Sequence, residues 1–100
     1  SGPSGTEIKL RYAEVLYPDG MINQVPLRGA KATETYILRE SENEVYEPRF
    51  TYHGFRYVEV TGYPGTPKLN TLQGVVVHSA VEPAGGFICS NPLINHIHIC

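Results

Sequence analysis

The run over residues 48–62, PRFTYHGFRYVEVTG, constrains this chain more than any other stretch. It interleaves aromatic and β-branched residues with arginines around a single mid-run glycine. Read as strand, it sends Phe55, Tyr57 and Glu59 one way and Arg56, Val58 and Val60 the other. Tyr, Phe, Val and Thr are the types that suit a pleated, half-buried surface. The expectation is sheet, and the alternation by itself specifies no chemistry.

Other stretches follow the same grammar. From Thr6 to Leu16, Ile8, Leu10 and Tyr12 alternate with Lys9 and Arg11, and Tyr17-Pro-Asp-Gly20 then turns the chain. Residues 21–32 pattern weakly, as loop or a short edge strand. Residues 33–39 form a second clear strand, with Tyr36 and Leu38 opposite Thr35 and Ile37. A solvated acidic turn at 40–44 leads into 45–53, where Tyr46, Phe50 and Tyr52 share one side. Gly54 signals a bulge or a close backbone approach, so 45–61 reads as two strand segments bent there, with Pro48 placing the first at an edge or bulge. Residues 69–73 are compatible with one helical turn. The continuous apolar run over 75–79 is what a strand buried on both faces requires, and 87–89 make a last strand. Asn91-Pro92 then reads as an N-cap with proline at the first helical position, followed by Leu93, Ile94 and Ile97 at helical spacing. This helix starts well and ends without a cap, as expected of a domain cut from a longer protein.

The fold class is therefore all-β, an antiparallel β-sandwich with the start of a C-terminal helix. Residues 1–5 read as a linker or cloning remnant, 6–90 as the sandwich, and 91–100 as a truncated helix. A chain of 100 residues with 41% hydrophobic content supports one thin core. A net charge of −2 with interspersed signs gives no electrostatic footprint for nucleic acid or anionic membrane. No apolar run approaches the roughly 18 residues of a membrane span. The N-terminus lacks the plan of a signal peptide, although one removed earlier from a longer protein would leave no trace. Helical placement of Cys100 sets it roughly 15 Å from Cys89, beyond disulfide reach, so both are expected as free thiols and the compartment stays open.

Candidate chemistry is sparse. His96 and His98 project about 200° apart on a helix, whereas a zinc helix uses i and i+4. His53 and His78 have no ligand-spaced partner, so neither a metal nor another cofactor is expected. Glu40, Glu42 and Glu44 belong to the solvated turn. Glu47 and Glu59 share strands with Arg49 and Arg56, which makes cross-strand ion pairing the simpler account than acid/base catalysis. No nucleophile elbow or phosphate loop occurs, and no catalytic residue is assigned. Tyr52, His53, Arg56 and Tyr57 cluster around the expected bulge and are the candidates for a sugar platform. Packing of the same aromatics in the core or between domains is the competing account.

Five ordered blocks carry a family likeness: LRYAEVLYPDG (10–20), AKATETYIL (30–38), residues 48–62, VVHS (76–79) and CSNPLIN (89–95). Together they resemble the concanavalin-like (jelly-roll type) β-sandwich segment of bacterial α-L-rhamnosidases of glycoside hydrolase family 78. The most distinctive block is 50–60. The resemblance implies a multidomain enzyme that removes terminal α-L-rhamnose from glycosides and polysaccharides with inversion. Its paired catalytic glutamates belong to an (α/α)6 barrel that follows this segment. No position here matches the barrel's catalytic motif, so the fragment is expected to be inactive. The implied partners are that barrel and the upstream modules of the same polypeptide, with rhamnose-containing carbohydrate as a further candidate. The calcium-dependent rhamnose-binding module of some relatives is a separate domain, and no acidic ligand cluster here matches it. The implied source is bacterial, either cytoplasmic or periplasmic and secreted.

Overall fold

Residues 2–40 and 42–99 are described by a computed structural model. The elements run β1 (Glu7–Ala13), β2 (Val15–Leu16), β3 (Ile22–Asn23), a 3-10 turn (Val25–Leu27), β4 (Thr33–Ile37), β5 (Tyr57–Thr61) and α1 (Pro92–Ile99). β1 lies at the centre of a three-stranded sheet in the order β4-β1-β5, and β2 and β3 form a small ribbon. Every pairing is antiparallel.

Strand periodicity dictates the faces. The registers Ile8↔Tyr36, Leu10↔Glu34, Leu10↔Val60 and Tyr12↔Val58 collect one inner face. Lys9, Arg11, Ala13, Thr35 and Glu59 occupy the outer one. The alternation expected for β1, β4 and β5 is what forms. Phe55 precedes the strand and departs from it, turning its ring toward Tyr12 on the inner side at 5.2 Å.

Local chemistry fixes the connections. At the β2–β3 turn the Tyr17 carbonyl accepts from the Gly20 N–H at 2.9 Å, and Asp19 Oδ1 accepts from the Met21 N–H at 3.0 Å. Gly62, at φ 75°, leads out of β5, and a Cβ there would strike the Glu7 carbonyl. On the outer face Gln24 acts as a buckle. Its amide donates to the carbonyls of Tyr12 (3.0 Å) and Ala32 (3.1 Å), while its oxygen accepts from Arg11 Nη2 at 3.1 Å. Arg11 reaches across the register to Glu59 at 2.9 Å. The cross-strand ion pair of Glu59 is thus made with Arg11, whereas Arg56 lies over the Tyr57 ring. Residues 2–5 fold back onto β4, where the Gly5 N–H donates to the Leu38 carbonyl at 2.9 Å.

Several expected elements do not form ladders. Residues 45–53 run across the inner face with no strand pairing. Tyr46, Phe50 and Tyr52 do not share a side: Tyr46 turns inward, while Phe50 is fully exposed (100%) and Tyr52 largely so (80%). No bulge forms at Gly54, since a bulge needs a ladder to interrupt. Residues 75–79 and 87–89 are also unpaired, and Val76 is 85% exposed rather than buried on both faces. In both places the composition suits a strand, but among the described residues no neighbour pairs with it. Residues 68–71 make a turn instead of a helical one, the Lys68 carbonyl accepting from the Thr71 N–H.

Helix α1 starts as its sequence requires, the Leu93 N–H donating to Asn91 Oδ1 at 3.0 Å. The Asn95 amide pairs with the Cys89 backbone in both directions at 2.8 Å, tying the helix to the preceding chain. Cys89 is a free thiol; Cys100, Ser1 and Ser41 lie outside the described residues, and with them the Cys89–Cys100 separation.

Candidate functional site

The polar centre of the molecule is Glu34, on the inner face of β4 between Leu10 and the 45–53 run. It is 9% exposed. Burying a carboxylate is costly unless its oxygens are paired. Here Tyr46 Oη donates to Oε2 at 2.7 Å, and His53 Nε2 lies 3.0 Å from Oε1. An ionised carboxylate only accepts, so this geometry assigns the His53 hydrogen to Nε2.

Aromatic rings wall this centre. Tyr12 stacks on His53 with centroids 4.7 Å apart, and Tyr36 stacks on Tyr46 at the same separation. Tyr36 Oη donates to Glu44 Oε2 at 2.7 Å, and the Glu44 carboxylate also accepts from the Arg39 N–H. Two carboxylates therefore hold two tyrosines, and the tyrosines hold the 44–53 segment on the sheet. The phenol of Tyr46 is pushed up to about 12, chiefly by its hydrogen bond to Glu34 and then by burial. Tyr36 is raised chiefly by its bond to Glu44, and Tyr12 chiefly by burial. Each of these keeps the tyrosine a neutral donor or packing ring. Both oxygens of Glu34 are thus occupied, one by Tyr46 and one by His53.

The four residues singled out as sugar contacts separate into two pairs. Tyr52 and His53 both line a concavity of about 640 Å³ above the inner face. Arg56 and Tyr57 form the second pair, with the guanidinium 5.8 Å from the ring centre. Tyr57 pairs with Ala13 on the outer face. His53 is thus placed in the concavity wall with Nε2 engaged by Glu34. Glu34 and Tyr46 were not among the expected site residues. The available signal was a charged residue at an inward position of the TETYI alternation, two residues before Tyr36.

The remaining histidines are dispersed: His78 Nδ1 lies 2.9 Å from the Ser79 carbonyl, and His98 packs edge-on against Phe87. Among the described residues no three His, Cys, Asp or Glu side chains gather to hold a metal ion.

The family model "Bacterial alpha-L-rhamnosidase concanavalin-like domain" matches residues 1–78. An alpha-L-rhamnosidase of Streptomyces avermitilis is 50% identical over 98 residues, covering 98% of this chain and 10% of the relative. The crystal structure of a Streptomyces avermitilis alpha-L-rhamnosidase complexed with L-rhamnose superposes with a TM-score of 0.82 over 98% of this chain and 10% of that one. An alpha-L-rhamnosidase structure from Dictyoglumus thermophilum is 58% identical with a TM-score of 0.82, covering 96% of this chain and 11% of that one. The chain thus spans about a tenth of the length of these relatives. The concanavalin-like, antiparallel sandwich class read from the sequence agrees with these matches.

Proposed function

Because the chain belongs to the bacterial alpha-L-rhamnosidase concanavalin-like domain family, we propose that it is the non-catalytic β-sandwich domain of a multidomain α-L-rhamnosidase. In this reading residues 6–90 form the sandwich and 91–100 open the helical region that follows. The domain packs on an (α/α)6 catalytic barrel and orients it against upstream modules. The barrel removes terminal α-L-rhamnose from glycosides and polysaccharides with inversion.

The observation that carries this reading is unburied apolar surface on an extended body. The radius of gyration is 18.3 Å, whereas a compact domain of about 100 residues has roughly 13 Å. Phe50, Val76, Ile88, Leu93 and Ile97 are all exposed. An apolar surface of this extent fits a module whose walls are other parts of the same polypeptide. Phe50→Asp tests it. In the isolated chain the substitution touches nothing and changes stability by about 0.5 kcal/mol or less. In the parent enzyme it is expected to cost ~2 kcal/mol or more through lost burial, lowering Tm. Equal and negligible effects in both would overturn the packing role.

A second reading is favoured by one observation: the exposed ring of Tyr52 stands at the rim of the concavity that it shares with His53. Aromatic faces stack on sugar C–H surfaces, and Arg56 and Tyr57 lie close in sequence. As a carbohydrate-binding module, the domain would show localised NMR shifts at Tyr52, His53 and Arg56 on titration with L-rhamnose, weakened in Tyr52→Ala. An absence of shifts at millimolar sugar eliminates this reading.

A further inference from the structure

We infer that the concavity over the inner face receives an extended, apolar β-strand from elsewhere in the longer polypeptide. That strand hydrogen-bonds to the backbones of the 45–53 and 75–78 runs and completes the second layer of the sandwich. The inference rests on reading the chain as one module of a larger enzyme.

Two runs that form no ladder border the same 640 Å³ concavity, Tyr46 and Thr51 from one, which bends at Arg49 and Phe50, and Val75 and Val77 from the other. Among the described residues, neither 45–53 nor 75–78 makes a backbone hydrogen bond. Backbone N–H and C=O groups are obligatory hydrogen-bonding groups that need partners once water is excluded. A helix keeps its backbone bonds to itself and cannot supply them along its length. A sugar offers hydroxyls but no regular ladder. An extended strand offers donors and acceptors at the right repeat.

The side chains specify the occupant's character. Residues 75–77 are valines on both sides of the run, the pattern of a strand flanked by strands and covered on both faces. They stand exposed here, with no charged residue between Gly74 and Val81 to protect an edge. The occupant is therefore an apolar strand, and it need not bring a charge to pair. The source is available, since relatives run to about ten times the length of this segment. The tyrosine–carboxylate clamp at Glu34 fixes the 45–53 run against the sheet, so one border of the slot is preorganised for its partner.

Deuterium exchange with mass spectrometry, run on this 100-residue chain and on the natural polypeptide that contains it, tests the inference. Hydroxyl-radical footprinting of Phe50 and Tyr52 runs in parallel. Strand addition predicts that amides of 75–78 exchange on the order of 100-fold or more slowly in the longer polypeptide. Fast exchange at 75–78 with Phe50 protected from radicals would overturn the strand and leave the packing role intact. Fast exchange with Phe50 still reactive would overturn both. Protection that appears in the isolated chain and grows with its concentration would assign the slot to a second copy and overturn the inference. Protection elicited in the isolated chain by millimolar L-rhamnose would assign it to sugar and overturn it equally.

Discussion

The clamp at Glu34 makes a prediction that can be worked from distances alone. Tyr46→Phe removes a 2.7 Å hydrogen bond to a buried carboxylate and changes nothing else of size. Hydrogen bonds to charged groups are worth about 1.5–3 kcal/mol. Tyr46 is itself 37% exposed, so water replaces part of the lost donor and the expected cost falls to about 1–1.5 kcal/mol. Glu34→Ala removes the acceptor for Tyr46 and for His53 together, which leaves two donors partly buried without partners and costs about 3 kcal/mol. In the Glu34→Ala background Tyr46→Phe should be almost neutral, because its partner is already gone. The double-mutant cycle therefore closes with a coupling of about 1 kcal/mol. Urea unfolding followed by far-UV circular dichroism reads all four corners, provided the slopes agree among variants. Additivity to within about 0.3 kcal/mol would refute the argument that this bond holds the 45–53 segment in place.

Further outcomes follow from the same structure. Tyr46 is raised from 10.0 to about 12 in the folded chain, so its neutral form is the stabilised one. Its contribution is whole below pH 10 and is lost as pH rises toward 12, a decline that Tyr46→Phe should reduce in unfolding measured across that window, the raised Tyr12 and Tyr36 supplying the remainder. Gly62→Ala places a Cβ against the Glu7 carbonyl at φ 75°, and a cost of about 2 kcal/mol or more is expected in the same assay. Gln24→Ala frees the Tyr12 and Ala32 carbonyls and one side of Arg11. It should destabilise by about 2 kcal/mol, with the largest amide-exchange increase at the β1–β4 end near Tyr12.

What was legible in the sequence were features fixed by neighbours close along the chain. β1, β4 and β5 follow from period-two patterns, the 17–20 turn from Pro-Asp-Gly, and the start of α1 from Asn91-Pro92. The runs at 45–53 and 75–79 have the right residue types for strands yet form no ladder. Strand propensity describes a fit to neighbours, and among the described residues these runs pair with none. His53 was singled out as a sugar candidate beside the expected bulge, and its ring nitrogen also meets Glu34, 19 residues away. That pairing depends on a register between β4 and a crossing segment, which periodicity does not encode. Glu34 itself was readable only as an anomaly, a charge where the alternation demands an inward residue.

On the proposed reading, this domain helps to shape a glycosidase without cleaving any bond. The most direct test is release of the aryl alcohol from an aryl α-L-rhamnoside, measured for the purified 100-residue chain beside the enzyme that contains it. The account predicts turnover by the enzyme and none by the chain above the uncatalysed background. Turnover by the chain alone, abolished by Glu34→Gln, would contradict it.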